Sequence, residues 1–97
     1  MTITDMPQAK TEDADVDRLL ALAVGGDRQA FGMFYDLTAG RVYALLLALT
    51  QNASRCDALL EEVYVEAWER LVGRGLPPCP AREWVSLMAH RRAALAR

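Results

Sequence analysis

Residues 54–71 read SRCDALLEEVYVEAWERL, and this stretch decides the fold. Its apolar side chains recur three and four residues apart, which is the spacing of one face of an α-helix. That face is formed by Leu60, Val63, Tyr64, Ala67, Trp68 and Leu71. The spacing of Ser54 and Asp57 is that of a capping box and predicts the start of the helix. A helix of this kind has to bury its apolar face against other elements.

The opposite face of the same helix is acidic. It carries Asp57, Glu61, Glu62, Glu66 and Glu69. Adjacent side chains on a helix point about 100° apart, so Glu61 and Glu62 do not converge as an acid–base pair. Two interpretations of this face stay open, a surface exposed to water and a docking surface for a basic partner.

Two further helices are predicted before this stretch. The first runs from about Ala14 to Val24 and ends at two glycines, which adopt the left-handed conformation of helix C-termini at little cost. Asp27 then caps a second helix from about Arg28 to Thr50. The apolar stripe of the second helix contains Phe31, Phe34, either Leu37 or Thr38, Val42, Leu45, Leu46 and Leu49.

A loop and a fourth helix follow the acidic stretch. Residues 73–80 hold two glycines and three prolines, which do not continue a helix. The fourth helix starts near Pro80 and has an apolar stripe of Trp84, Val85, Leu87, Met88 and Leu95. Residues 1–13 lack apolar periodicity and are predicted to be a flexible tail. The sequence therefore predicts an all-α domain over residues 14–97, a compact bundle of four helices.

Composition restricts the class of protein. The chain is 53% hydrophobic and 25% charged, as is ordinary for a soluble domain, and its longest apolar run is far below the roughly 20 residues of a membrane span. Its start is acidic, unlike a signal peptide, which predicts a cytoplasmic protein. With two cysteines and one histidine, no metal site or cofactor is expected. No nucleophile elbow, phosphate-binding glycine loop or metalloprotease helix is found, so we do not expect an enzyme.

Charge is divided unequally along the chain. Residues 1–68 hold five basic and eleven acidic residues, whereas residues 69–97 hold six arginines and two glutamates. A basic surface beside the loop is suited to single-stranded DNA, although a dipolar surface without a ligand is also consistent with the division. The arginines near the loop are Arg70, Arg74, Arg82, Arg91 and Arg92.

Three motifs, in order, carry a resemblance to a known family. Residues 26–31 read GDRQAF and are followed by FYD at 34–36 and RVY at 41–43, similar to the family's "GDxxAF…LYDxYxxRVY". Residues 61–68 read EEVYVEAW, similar to "QEVFLxxW", and Trp84 follows sixteen residues later, opening a helix similar to "WLxxIAxNxxxD". The chain from Leu19 to Arg97 resembles conserved region 2 of extracytoplasmic-function (ECF) sigma factors.

The resemblance implies a role in transcription initiation. It implies docking on the β′ clamp helices of core RNA polymerase, through Asp57, Glu61, Glu62, Val65 and Glu66. It implies binding and melting of the promoter minus-ten element, with a flipped base of the non-template strand received by the loop at residues 72–79. The DNA-binding side chains are then Arg74, Arg82, His90, Arg91 and Arg92. An anti-sigma factor is a further expected partner.

Some positions depart from the family pattern. Ala58 stands where the family has Asp, Glu61 where it has Gln, and Arg91 where it has Asn. The loop has no aromatic residue, and the family's helix-turn-helix region 4 has no counterpart in these 97 residues. The alternative hypothesis is therefore a degenerate sigma-like protein that binds polymerase or a regulator without melting promoters.

Overall fold

Helices account for the fold in the described part of the chain. The computed structural model describes residues 5–96, with side-chain exposure from residue 12 onward. The helices are α1 (Asp5–Val24), α2 (Arg28–Thr50), α3 (Ala53–Arg74) and α4 (Ala81–Ala96). Each helix packs against the other three, and α2 makes the most extensive contacts of the four. The predicted all-α bundle of four helices is confirmed.

The ends of α2 are the predicted ones. Its N-cap Asp27 accepts a hydrogen bond from the backbone N–H of Ala30 at 3.0 Å. At the other end Gln51 adopts the left-handed conformation, with φ 53°, and donates its N–H to the Leu47 carbonyl. Within the helix, Thr38 is the buried member of the Leu37/Thr38 alternative.

The first helix begins earlier than predicted. It starts at Asp5 rather than near Ala14, and its Pro7 lies in the first turn, where no N–H partner is needed. Apolar periodicity did not reveal these turns, since Glu12, Asp13 and Ala14 are all exposed. The division of the chain into a tail (1–13) and a domain (14–97) stays a prediction, and residues 1–4 and 97 lie outside the described part.

The predicted capping box at the start of α3 is wrong. The N-cap residue is Asn52, and the Ser54 hydroxyl donates to the Asn52 side-chain oxygen at 2.7 Å instead of capping the helix. Ser54 is the second residue of the helix, two positions after the N-cap, so the pair Ser54 and Asp57 lacks the geometry that a capping box requires.

The end of α3 also lies further along the chain than predicted. The helix continues through Gly73 to Arg74 and ends at Gly75, whose φ of 85° glycine adopts at little cost. The N–H of Gly75 bonds to the Leu71 carbonyl at 3.0 Å. The connecting loop is therefore residues 75–80.

The buried face of α4 differs from the predicted stripe. Leu87 and Leu95 are 57% and 77% exposed, so their assignment to the core is wrong. The buried face consists of Ala81, Val85, Met88, Ala89 and Ala93. Small alanines let α4 lie close to its neighbours, and the larger leucines face outward.

A buried hydrogen bond joins α2 to α3. The Thr38 hydroxyl donates to the Phe34 carbonyl at 2.8 Å and lies 2.6 Å from the Tyr64 hydroxyl, which therefore donates to it. Tyr64 is only 5% exposed, and burial raises its pKa to about 12. The phenol is thus a neutral donor that fixes the facing positions of the two helices.

Both cysteines are free thiols. Cys56 is buried in the core and Cys79 lies half-buried in the loop. Among the described residues no three His, Cys, Asp or Glu side chains converge as a metal site. None of the helices in residues 5–96 is long and apolar enough to cross a membrane.

Candidate functional site

An open groove lined by aromatic side chains runs between α2 and α3. We call it the aromatic groove; its volume is about 640 Å³, and its lining is Phe31, Tyr35, Asp57, Leu60, Glu61, Tyr64, Val65 and Trp68. Tyr35 packs edge-on against Tyr64 with ring centroids 4.6 Å apart, and Phe31 packs similarly on Trp68 at 5.1 Å. The Arg28 guanidinium lies 5.9 Å from the Trp68 ring centroid. The groove is therefore apolar, with carboxylates at its edge.

The aromatic groove brings together three of the five residues predicted to bind polymerase. Asp57, Glu61 and Val65 line it, and Val65 is 52% exposed. The residues from α2, Phe31 and Tyr35, were not among the predicted site residues. Their signal in the sequence was present, since the short turn at residues 51–52 makes α2 and α3 antiparallel and places the first turns of α2 beside the middle and later turns of α3.

The other two predicted polymerase-binding residues lie on a different face of α3. Glu66 is 9% exposed rather than part of a solvated acidic face, so that interpretation is wrong for this residue. Its carboxylate accepts hydrogen bonds from Arg70, Arg91 and Arg92, which we call the arginine cluster. The Nε of Arg70 lies 2.8 Å and that of Arg92 3.1 Å from Glu66 oxygens. Arg92 also donates through Nη1 to Glu62 at 3.1 Å.

The electrostatics of Glu66 follow from these contacts. Burial by itself raises the pKa of the Glu66 carboxyl, but the hydrogen bonds from the arginine cluster outweigh burial and lower that pKa below its ordinary value. The carboxylate therefore stays charged and bridges α3 to α4. Two predicted polymerase-binding glutamates and two predicted DNA-binding arginines thus contact each other directly.

The remaining predicted DNA-binding residues differ in their surroundings. Arg82 is turned towards α1, where it lies 2.8 Å from Asp13 and 3.6 Å from Glu12. His90 is exposed and has no hydrogen bond or ion pair with the described residues. Arg74 is exposed at the end of α3, beside the loop.

A smaller cavity lies under the loop between α3 and α4. We call it the loop cavity; it measures about 260 Å³ and is lined by Arg70, Arg74, Gly75, Leu76, Pro77, Pro78 and Trp84. The loop itself has no aromatic side chain, but Trp84 supplies one from the first turn of α4. The sequence favoured a core role for Trp84, and the half-buried indole both packs against the core and lines this cavity. An aromatic wall beside two guanidinium groups is suited to a nucleobase.

The loop cavity has a fixed position because α1 anchors its far end. The carboxylate of Asp17 accepts a hydrogen bond from the backbone N–H of Ala81 at 2.8 Å and so caps α4 from another helix. Pro80 itself has no side-chain group to serve as a cap. The contacts of Arg82 with α1 fix the same turn.

Comparison with known proteins adds an independent observation. The chain is 35% identical over 80 residues to the ECF RNA polymerase sigma factor SigK of Mycobacterium tuberculosis (strain ATCC 25618 / H37Rv), covering 82% of this chain and 43% of that protein. It is 32% identical over 80 residues to the SigK of Mycolicibacterium vanbaalenii, covering 82% of this chain and 41% of the relative. No protein-family model and no solved structure matches the chain.

These relatives identify the class of protein. The chain contains an ECF sigma factor region, which confirms the resemblance carried by the three motifs. It spans less than half the length of the curated relatives it matches.

Proposed function

We propose that this chain is the part of an ECF-type sigma factor that docks on core RNA polymerase and binds the single-stranded minus-ten promoter element. The observation that carries the proposal is the similarity to ECF sigma factors over four-fifths of the chain. The two candidate surfaces are compatible with it, because an acidic-edged groove and an arginine-lined cavity occupy different faces of α3.

The aromatic groove is the proposed polymerase-binding surface. Its exposed apolar atoms favour an amphipathic helix, and the carboxylates of Asp57 and Glu61 favour basic residues beside that helix. The β′ clamp helices of polymerase are the proposed partner. An anti-sigma factor that covers the same groove would compete with polymerase for it, and the site of action would be the cytoplasm.

The loop cavity is the proposed site of strand capture. A base unstacked from the minus-ten element has an aromatic neighbour in Trp84 and cationic neighbours in Arg70 and Arg74. The proposed role is binding and strand separation, with polymerase supplying the catalytic chemistry.

Reversal of one charge tests the docking surface. We predict that Glu61→Arg weakens binding of the purified chain to core polymerase, or to a β′ clamp-helix fragment, about tenfold, because like charges then face each other across a packed surface. The measurement is a titration followed by fluorescence anisotropy.

Glu69→Arg is the matched control for this titration. Glu69 lies on the same helix, is exposed, and does not line the aromatic groove. Equal loss in both variants would indicate a general charge effect, and unchanged binding of Glu61→Arg would exclude the groove as the docking surface.

One observation favours the alternative of a sigma-like protein without promoter melting. Arg91 and Arg92 are already paired with Glu66 and Glu62 in the free chain, so they offer a strand less net positive charge than unpaired arginines would. Capture of single-stranded minus-ten DNA by the chain–polymerase complex distinguishes the two functions. Polymerase binding without capture, and indifference of the complex to Arg74→Ala, would establish the alternative.

A further inference from the structure

Glu66 has more cationic partners than charge balance requires. Three guanidinium groups donate to its single carboxylate. Only 11% of the Glu66 side chain is exposed, so its charge is enclosed by these partners. One arginine would neutralise it and Arg92 also pairs with Glu62, so the assembly of three arginines and two glutamates keeps one excess positive charge. An ordinary surface ion pair would have neither this burial nor this excess.

The arginine cluster retains unused hydrogen-bond donors. A guanidinium carries five N–H groups, whereas the contacts with Glu66 and Glu62 engage one nitrogen of Arg70, one of Arg91 and two of Arg92. The three arginine side chains are between 33% and 48% exposed. Donors that face solvent are therefore attached to groups whose orientation the carboxylate fixes.

The cluster also borders the loop cavity. Arg70 and Arg74 line that cavity and also line a polar groove that contains Glu66 and Arg92. A strand with one base in the loop cavity has its next phosphates within reach of this groove. Phosphate oxygens are the acceptors that guanidinium groups bind best in pairs.

We propose that Glu66 is a positioning residue that holds the arginine cluster in the arrangement that binds the phosphates of single-stranded DNA. This inference rests on the proposed function, since it concerns the same strand. Arginine side chains have many rotamers, and ordering them on a ligand reduces affinity. Glu66 orders them during folding, and it does not itself contact the strand.

Charge neutralisation alone predicts the opposite change in strand affinity, and this makes the proposal testable. Glu66→Gln removes a negative charge beside a polyanion, so neutralisation alone predicts tighter binding. Positioning predicts weaker binding, because a glutamine has one acceptor oxygen and its amide N–H group faces cationic donors.

Glu69→Gln is the matched control. It makes the same charge change one turn along α3 and in the same polar groove, but Glu69 is exposed and forms no ion pair with the described residues. Core polymerase is saturated with each variant, and binding of a fluorescent oligothymidine strand is then titrated at several salt concentrations. We expect about fivefold weaker binding for Glu66→Gln, with a shallower salt dependence. We expect unchanged or slightly tighter binding for Glu69→Gln.

Three further measurements separate the positioning role from an effect on folding. Arg91→Lys keeps both the charge and Glu66 but loses the planar fork, and it is expected to weaken strand binding to a similar extent. The Arg Nε–H resonances of the wild-type chain report the contacts of Arg70 and Arg92 with Glu66, and oligothymidine is expected to shift them. Circular dichroism gives the folded fraction of each variant.

The outcomes separate this inference from the proposed function. Tighter strand binding by Glu66→Gln, matching Glu69→Gln, would overturn the positioning role while polymerase binding stays intact. Full strand binding by Arg91→Lys would overturn it equally. Failure of the wild-type chain to bind polymerase would instead refute the proposed function.

Discussion

The hydrogen bond between Thr38 and Tyr64 allows the stability of the α2–α3 contact to be predicted from geometry. In Tyr64→Phe the Thr38 hydroxyl still donates to the Phe34 carbonyl, so no buried polar group is left without a partner. The expected loss is that of one net hydrogen bond, about 1 kcal/mol. In Thr38→Val the phenol keeps its hydroxyl but loses its acceptor at a site that is 5% exposed. An unsatisfied buried group costs more, about 2 kcal/mol.

The double variant provides the decisive comparison. With both hydroxyls removed, neither is left unsatisfied, so Thr38→Val/Tyr64→Phe should be less destabilised than the sum of the single changes, with a coupling of about 1–2 kcal/mol. Urea denaturation followed by circular dichroism measures all four proteins, provided that the m-value is the same in each. If Thr38→Val costs no more than Tyr64→Phe, the assigned direction of the hydrogen bond is wrong. If the two losses add, the two hydroxyls do not stabilise each other.

Two further predictions concern pH and capping. Burial raises the pKa of Tyr64 from 10.0 to about 12, so between these pH values the folded chain keeps a proton that the unfolded chain loses. The free energy of unfolding is therefore highest below pH 10 and falls by up to about 3 kcal/mol as the pH rises to 12. Urea midpoints at stepped pH measure this fall, and a fall of the same size in Tyr64→Phe would contradict the assignment to Tyr64. Asp17→Ala removes the cap of Ala81 and should cost about 1 kcal/mol in the same assay, whereas Asp17→Asn, which keeps an acceptor oxygen, should lose much less.

The sequence predicts the fold best where both ends of an element carry local signals. The bounds of α2 follow from Asp27 at one end and the Gln51–Asn52 turn at the other, and both are contacts between near neighbours. The stripe of α4 was predicted incorrectly because hydrophobicity ranks Leu87 and Leu95 above alanine. Helix packing selects instead the small side chains that permit close approach.

The candidate site is less predictable because its contacts are distant in sequence. Helical spacing predicts only Arg70, four residues after Glu66, as a partner of this carboxylate. Arg91 and Arg92 reach the same carboxylate from another helix, so an acidic face could not be distinguished from a buried ionic network. Trp84 joins the loop cavity for the same reason, since its position depends on how α4 leaves the loop.

The contacts from α1 to the first turn of α4 determine how the loop moves. Asp17 and Asp13 lie 64 and 69 residues before the groups they bind. These hydrogen bonds therefore attach the end of the loop to a helix that is distant in sequence. The far end of the loop therefore cannot detach while α1 stays docked, and its opening includes the cost of breaking those contacts. In native-state hydrogen exchange, the Ala81 amide should belong to the same cooperative opening unit as α1. Fluctuations of the loop cavity are then controlled by a helix that does not line it.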